Sequence, residues 1–303
     1  MESKVAHFLY VPLLGLGLYG GHRGNRWLKN RIHIFKQFVL PSLLNQSNKN
    51  FILWVSVRHE DRGDSILNEF KESLEQSGLR VIFTYSGICF WDDKYPDNVA
   101  HGRLINALHG ATADLINVMG DADTVLMTIQ PSDDCYYSVM VEEMQRLFAE
   151  NPQVQAAAYQ KGYVMDYINK KLCEWNPKTN PPFYTIKFKR EVFLNPLEHV
   201  NYAGIKSHEY LPTRLTTAKS ETRGFLVGTH GENISTVFNH PFTGDPVSLR
   251  VLAEFGLQDV QPLTLPVSLR KRVMRALPHG WQRKLRYWLG ERGYARFYAF
   301  IRS

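Results

Sequence analysis

The sequence has few cysteines, and the three that are present are far apart. Cys89, Cys135 and Cys173 form no CxxC pair and no even set. This pattern argues against a disulfide framework and against a zinc site. We therefore expect a reducing compartment, the cytoplasm.

The sequence also lacks a long uninterrupted apolar run. The apolar start HFLYVPLLGLGLYGG is broken by Pro12 and by glycines, and no small-residue cleavage site follows it. We interpret it as a buried strand and a loop, not as a signal peptide. No segment reaches the length of a membrane-spanning helix, so we expect a protein that is soluble or lies on a surface.

Acidic residues are missing where a dinucleotide site needs one. GLGLYG (15–20) is a formal GxGxxG motif after a predicted strand, but no acid lies between Phe35 and Trp54. Binding of a nicotinamide dinucleotide needs a helix directly after the motif and an acid about 20 residues on, so this class of oxidoreductase is excluded. The glycine segment is then either a flexible loop or a source of amides, with Arg23 or Arg26, for an anionic ligand.

Acids are also scarce at the end of the chain. Residues 267–303 contain ten Lys or Arg and one acid, while the whole chain carries +7, so residues 1–266 are net negative. A basic tail on an acidic body argues against a nucleic-acid-binding core. Trp281, Leu285 and Trp288 share one helical face of the tail, as in a helix that lies on an anionic membrane. The alternative is a C-terminal helix that docks on the domain.

Apolar extended runs alternate with helical patterns over the first 150 residues. The predicted strands are KVAHFLYV (4–11), FILWVSV (51–57), LRVIFTY (79–85) and TVLMTI (124–129). The predicted helices are RIHIFKQFVLPSLLNQ (31–46, with a kink or end at Pro41), DSILNEFKESLEQSG (64–78), GRLINALHGA (102–111) and YSVMVEEMQRLFAENP (137–152). This alternation predicts an α/β fold, a Rossmann-like and mostly parallel sheet flanked by helices. Ligands of such sheets bind beyond the carboxyl ends of the strands.

Two adjacent acids, Asp133 and Asp134, follow the fourth predicted strand. Pro-Ser-Asp-Asp suits a turn, and Ser132 or Asp134 is one candidate cap for a helix that starts near Tyr136. The other interpretation is that the carboxylates hold Mg²⁺ or Mn²⁺, which takes one or two carboxylates plus phosphate oxygens. His230, in THGENIST, is either an ordinary loop histidine or a further metal or phosphate contact.

Three segments, in this order, resemble bacterial GT-A-fold glycosyltransferases of the rhamnosyltransferase group. RIHIFKQFVLPSLLNQSNKNFILWVSVRHED (31–61) resembles their first helix, with a PSL..Q segment, and their second strand, which ends in acids. IQPSDD (129–134) resembles the strand and D-x-D metal motif, and HGENIS (230–235) resembles a late HG-x-N-x-S element. The resemblance covers about residues 4–245. It implies a nucleotide-sugar-binding half in residues 1–150 and an acceptor half in 151–266.

The resemblance also implies roles for individual residues. It places the divalent cation on Asp133, with Asp134 and His230 as further ligands. Asp134 is in addition a candidate catalytic carboxylate. The nucleobase and ribose are expected near Glu60 and Asp61.

Other roles follow less directly from the pattern. The first acid of D-x-D is replaced here by Pro131, whose side chain accepts no ribose hydroxyl. Arg103 is a candidate phosphate contact and otherwise an exposed helix residue. Glu209 is the candidate general base of an inverting transfer, with Asp166 and Glu232 as other candidates and a solvated surface glutamate as the alternative.

These features predict a glycosyltransferase with Mg²⁺ or Mn²⁺ as its cofactor. It would move a sugar, rhamnose if the resemblance extends so far, from a nucleotide-diphosphate-sugar donor to a hydroxyl of a glycan or lipid-linked glycan, in bacterial cell-surface polysaccharide synthesis. The expected partners include an anionic membrane surface, reached through the tail, and no nucleic acid. The alternative, favoured by Pro131, is a non-catalytic membrane-surface binding protein with a transferase-like fold.

Overall fold

The computed structural model describes residues 4–13, 25–87, 97–203, 208–231, 233, 236–265 and 288. The chain divides into two compact units, Met1–Leu263 and Thr264–Ser303. Nearly all of the predicted basic tail lies outside the described residues, as do the GLGLYG segment, Arg23 and Glu232. No helix in the described part of the chain has both the length and the apolar character to cross a bilayer.

The strands of the described residues form one ten-stranded sheet. In chain order they are β1 (Val5–Pro12), β2 (Ile52–Ser56), β3 (Val81–Thr84), β4 (Thr124–Ile129), β5 (Cys135–Tyr136), β6 (Ala156–Asp166), β7 (Lys171–Trp175), β8 (Tyr184–Lys189), β9 (Thr217–Thr229) and β10 (Thr243–Pro246). The order along the sheet is β10-β7-β6-β8-β4-β1-β2-β3, and β9 pairs with both β5 and β6.

The first four strands are parallel. β1 lies between β2 and β4, and β3 pairs with β2. This half confirms the predicted α/β fold, with a parallel sheet and crossover helices. From β6 onward most pairs are antiparallel, and β6 and β7 are joined by a short connection of the kind that antiparallel strands allow, whereas β9 is parallel to β6.

The α-helical segments of the described residues are short except for one. They are α1 (Asn25–Ile34), α2 (Leu40–Leu44), α3 (Ser65–Glu75), α4 (Asp97–Met119), α5 (Met140–Glu150), α6 (Arg190–Leu194), α7 (Pro196–Ala203) and α8 (Leu211–Arg214). Single 3₁₀ segments cover His59–Asp61, His208–Tyr210 and Leu249–Phe255.

Helices cover both faces of the parallel strands. On one face, Leu108 and Leu115 of α4 share a core with Trp54 of β2. On the other face, the ring Nδ1 of His7 in β1 lies 3.3 Å from the side-chain nitrogen of Gln145 in α5. With both faces covered, the carboxyl edge of the parallel strands is the place for a ligand.

The helix that contains Pro41 neither stops nor breaks there. A π-helical segment, Phe35–Val39, joins α1 to α2, and Pro41 lies in the first turn of α2. Proline lacks an amide hydrogen and its ring crowds the carbonyl four residues earlier. The wider π turn relieves this conflict, so the helix continues to Leu44.

Candidate active site

The two adjacent acids lie in the turn after β4, at the carboxyl edge of the parallel strands. The fully buried side chain of Gln130 shapes this turn. Its amide nitrogen donates to the carbonyl oxygens of Pro131 (2.9 Å) and Asp134 (2.8 Å). The amide oxygen of Gln130 is buried and has no hydrogen-bond partner within the described residues.

The turn does not lead directly into a helix. β5 follows it and pairs with β9 in antiparallel fashion. α5 begins only at Met140, and its N-cap residue, Val139, makes no side-chain cap. The interpretation that Ser132 or Asp134 caps a helix starting near Tyr136 is therefore wrong.

Three donors converge on one oxygen of Asp133. Arg31 Nη1 lies 2.6 Å from Asp133 Oδ2, His230 Nε2 lies 3.0 Å from it, and Asn233 Nδ2 lies 3.3 Å from it. Oδ1, the other oxygen, has no hydrogen-bond partner among the described residues. Oδ1 is therefore the oxygen of this carboxylate that is left for a ligand.

The groups around Asp133 are deeply buried. The side chains of Arg31 and His230 are 4% and 0% exposed, against 16% for Asp133. The guanidinium of Arg31 lies 5.3 Å from the ring centroid of Trp27, a cation–π contact. Asn233 also accepts from the His230 amide (2.7 Å), so the end of β9 is folded tightly around the carboxylate.

The environment keeps Asp133 ionised. Burial by itself raises the pKa of a carboxyl group. Here the positive charge of Arg31 and the hydrogen bond with His230 outweigh burial and hold the pKa of Asp133 well below its ordinary value.

Asp134 has the opposite environment. Burial, and then the charge of Asp133, raise the pKa of Asp134 well above its ordinary value. Its Oδ1 accepts a hydrogen bond from the Gly228 amide at 2.8 Å. Two neighbouring carboxyl groups whose pKa values are pushed apart are typical of acid–base sites.

Gly228 allows β9 to approach the turn closely. A Cβ atom at this position would lie 2.3 Å from the ring of Tyr167 and 2.4 Å from the carbonyl oxygen of Asp133. The same carbonyl accepts from the Tyr167 hydroxyl at 2.9 Å. Tyr167 in turn stacks on Phe38, with ring centroids 3.6 Å apart.

The donor set fits a cation that is shared with a substrate. Within the described residues, no group of three or more His, Cys, Asp or Glu side chains forms a self-contained metal site. Mg²⁺ or Mn²⁺ on a diphosphate needs only one or two protein carboxylates, and Asp133 Oδ1 supplies one such oxygen. His230 Nε2 faces Asp133 Oδ2, so His230 supports the carboxylate at that nitrogen.

The two acids after β2 differ in accessibility. Arg58 binds both oxygens of Asp61, through Nε (2.8 Å) and Nη2 (2.7 Å), and Asp61 is 8% exposed. Glu60 is 66% exposed and lies 3.4 Å from Arg58. Of the two predicted nucleotide contacts, Glu60 is open to a ligand and Asp61 holds its own turn together.

The topology brings the remaining predicted residues to the same edge of the sheet. Arg103 is exposed in the second turn of α4, the helix that leads from the carboxyl end of β3 back to β4. Glu209, also exposed, accepts from the Thr179 hydroxyl at 3.1 Å. Thr179 precedes β8, and β8 is antiparallel to β4, so this connection lies at the carboxyl edge of β4.

Sequence reasoning missed Arg31 and Asn233. Arg31 has Leu28, Ile32 and Phe35 as helical neighbours, all buried. A basic residue at an apolar position of a helix is the signal that was available. Asn233 belongs to the HGENIS segment, where His230 and Glu232 had been given roles and Asn233 had not.

Comparison with known proteins gives one family and several distant structures. Residues 23–77 match the family model described as "Putative rhamnosyl transferase". Arg31, Glu60 and Asp61 lie in the matched segment, and Asp133 and His230 lie outside it. No curated protein is significantly similar in sequence to this chain.

Three of the similar solved structures are TarS and two proteins with transferase names. TarS of S. aureus is 12% identical with a TM-score of 0.38, over 93% of this chain and 51% of that chain, so this chain spans about half of TarS. A "putative nucleotide-diphospho-sugar transferase" from Desulfovibrio desulfuricans G20 is 14% identical with a TM-score of 0.31, over 74% of this chain and 79% of that one. Mouse xyloside xylosyltransferase 1, in its apo form, is 11% identical with a TM-score of 0.31, over 70% and 72% of the two chains.

TM-scores this low carry no functional argument, so the case for function rests on the site itself. The matched segment contains α1, which supplies Arg31, and also α2, β2 and α3. Over residues 23–77, this α/β protein resembles the rhamnosyl transferase family.

Proposed function

We propose that this protein is a glycosyltransferase that uses a nucleotide-diphosphate sugar. The observation that carries the proposal is the carboxylate of Asp133, held at the carboxyl edge of a parallel sheet by three donors on Oδ2, with Oδ1 left for a ligand. A buried, ionised carboxylate held so firmly favours binding of a cationic or hydroxyl-bearing ligand over a structural role alone.

In the proposed reaction, an acceptor hydroxyl attacks the anomeric carbon of the donor sugar. The carbon–oxygen bond to the diphosphate breaks, and the nucleoside diphosphate leaves with the electron pair. The acceptor proton passes to a protein carboxylate, for which Glu209 is our first candidate and Asp134 the second. Glu60 contacts the nucleoside in this scheme, and Arg103 a phosphate.

Mg²⁺ or Mn²⁺, if bound at Asp133 Oδ1, would neutralise charge on the leaving diphosphate. Asp133 stays ionised because Arg31 and His230 oppose the effect of its burial. Asp134 holds its proton more strongly than an ordinary aspartate. A carboxyl group with a raised pKa is a stronger base once it is ionised, which suits Asp134 as the second candidate base.

Turnover of sugar nucleotides tests the proposal directly. The full chain is incubated with UDP-, GDP- and dTDP-sugars, including dTDP-rhamnose, with Mn²⁺ and short glycan or lipid-linked glycan acceptors. We expect release of one nucleoside diphosphate, lost in Asp133→Asn and retained in Asp114→Asn, which makes the same change at an exposed site on α4. Full activity of folded Asp133→Asn would refute the site.

A non-catalytic binding protein is the second candidate, because Pro131 replaces the first acid of the D-x-D motif. The transferase predicts binding of a sugar nucleotide, which raises the melting temperature, and turnover of the bound donor. The second candidate, a membrane-surface binding protein with a transferase-like fold, predicts neither. Calorimetry with several sugar nucleotides, with and without Mn²⁺, separates the two, and no binding to any of them would favour the second candidate.

We further propose that the acceptor is a cell-surface glycan or its lipid-linked precursor, and that residues 267–303 bring the protein to an anionic membrane. The excess of basic residues in this segment supports the proposal. Co-sedimentation with phosphatidylglycerol vesicles, but not with phosphatidylcholine vesicles, is the expected result. A chain that ends at residue 266 should stay in the supernatant with both.

A further inference from the structure

The two oxygens of Asp133 are treated differently by the protein. Oδ2 is contacted by Arg31 from α1, by His230 at the end of β9 and by Asn233 beyond it. Oδ1 has no partner in the described part of the chain. A carboxylate with a purely structural role would be expected to use both oxygens, as Asp61 does with Arg58.

Arg31 is the strongest of the three contacts on Oδ2. It makes the shortest contact, 2.6 Å, and it carries a full positive charge. Its guanidinium is 4% exposed and packs against Trp27, so its own position is fixed. This burial leaves little room for the guanidinium to move out and bind a phosphate.

We infer that Arg31 is a positioning residue, which fixes Asp133 through Oδ2 so that Oδ1 alone is presented to the divalent cation of a nucleotide complex. The inference rests on the proposed function and adds to it a residue from a distant helix. Groups that orient a metal-binding carboxylate change metal affinity by about 10–100-fold when they are removed. Arg31 thus acts through Asp133 and does not contact the nucleotide.

Calorimetry on the full chain tests the inference. The dissociation constants of UDP, GDP and dTDP are measured with and without saturating Mn²⁺. The variants are Arg31→Gln, Arg31→Lys, Asp133→Asn and the double variant Arg31→Gln/Asp133→Asn. Lys29→Gln is the matched control, because it removes a positive charge from an exposed position of the same helix.

Mn²⁺ should increase the affinity of wild type for the nucleotide that it binds. We expect this increase to be smaller by about tenfold or more in Arg31→Gln. The affinity measured in the absence of Mn²⁺ should be the same in both proteins. Arg31→Lys should lie between wild type and Arg31→Gln, because lysine keeps the charge and loses the planar fork. This variant also serves if Arg31→Gln does not fold. The double variant should match Asp133→Asn alone, and Lys29→Gln should match wild type.

Five results would overturn the inference. Equal losses with and without Mn²⁺ would mean that Arg31 contacts the phosphates directly. A lower melting temperature with an unchanged Mn²⁺ effect would mean a structural role only, and tighter Mn²⁺ binding would mean that the guanidinium opposes the cation. Nucleotide binding by wild type without any Mn²⁺ effect would remove the inference and leave the transferase standing, whereas no nucleotide binding at all would remove both.

Discussion

Replacement of Asp133 by asparagine should destabilise the protein as well as disable the site. Asparagine keeps the shape of the side chain but removes the negative charge. Arg31, which is 4% exposed, would then lose the charged partner that Asp133 provides. Removal of one partner of a buried ion pair costs about 3–5 kcal/mol, a large part of the roughly 5–15 kcal/mol that keeps a domain folded.

The separation of the charges supports this magnitude. At the observed 2.6 Å between Arg31 Nη1 and Asp133 Oδ2, an effective dielectric constant of about 20 gives an attraction of about 6 kcal/mol. Part of this offsets the desolvation of the two groups in the native state. Because the asparagine oxygen still accepts a hydrogen bond, we expect a loss near the lower end of the range, about 3 kcal/mol.

Urea denaturation at pH 7 measures the effect. The free energy of unfolding is compared for wild type, Asp133→Asn, Arg31→Gln and the double variant. Each single variant should lose about 3 kcal/mol, and the double variant less than the sum, since it removes both charges of the pair. Single losses below about 1 kcal/mol, as for exposed ion pairs, would refute the idea that the pair is buried and ionised.

The pH dependence of the same pair has a defined sign. The pKa of Asp133 is lower in the folded state than in the unfolded state, so its contribution is fully present above the unfolded value of about 3.9. The contribution is lost as pH falls below that value toward the folded pKa. The difference in stability between wild type and Asp133→Asn should therefore be constant near neutral pH and shrink in acid.

Three further predictions concern the surroundings of this carboxylate. The pKa of Asp134 is raised in the folded state, so its ionisation favours unfolding as pH rises above about 3.9. Asp134→Asn should therefore raise the free energy of unfolding at pH 7 and have no such effect in acid. A loss of stability at pH 7 would contradict this prediction. Gly228→Ala should lower the free energy of unfolding, measured in urea, by at least about 2 kcal/mol, because the new Cβ overlaps its neighbours. Gly102→Ala in α4 should raise it by about 0.5–1 kcal/mol, because no atom lies within 4 Å of the new Cβ. Equal effects of the two changes would argue against the close packing at Gly228. Burial raises the pKa of the Cys135 thiol to about 12, so Cys135 should resist Ellman's reagent until the chain unfolds. Rapid labelling of Cys135 in the native protein, identified by mass spectrometry, would contradict this and show that the turn opens.

The sequence predicts the parallel half of the fold well because its signals are local. TVLMTI is mostly apolar and is bounded by polar residues, and the structure has β4 at Thr124–Ile129. The start of α3 is equally local, since Asp64 caps it by accepting from the amides of Ile66 and Leu67. Neither feature depends on a distant part of the chain.

The site was harder to predict because its contacts are distant in sequence. Asp134 looks like a helix cap when only its neighbours are considered, but its hydrogen-bond donor is the Gly228 amide, 94 positions away. Arg31 looks like an ordinary charged residue of an amphipathic helix, and its ion pair with the distant Asp133 is not visible in the local sequence. Asp61 differs in that its contact is local, because Arg58, only three residues away, binds the carboxylate that was expected near the ribose.

The long span of these contacts also determines when the site forms during synthesis. The chain must extend through Asn233 before all donors to Asp133 exist, so a ribosome-bound fragment that ends near residue 150 has Arg31 and Asp133 but neither His230 nor Asn233. Such a fragment also lacks β8, the neighbour of β4. Protease cleavage between residues 150 and 230 would thus separate two contributors to one carboxylate, and a truncated chain that retains the family-matched segment should not retain the site.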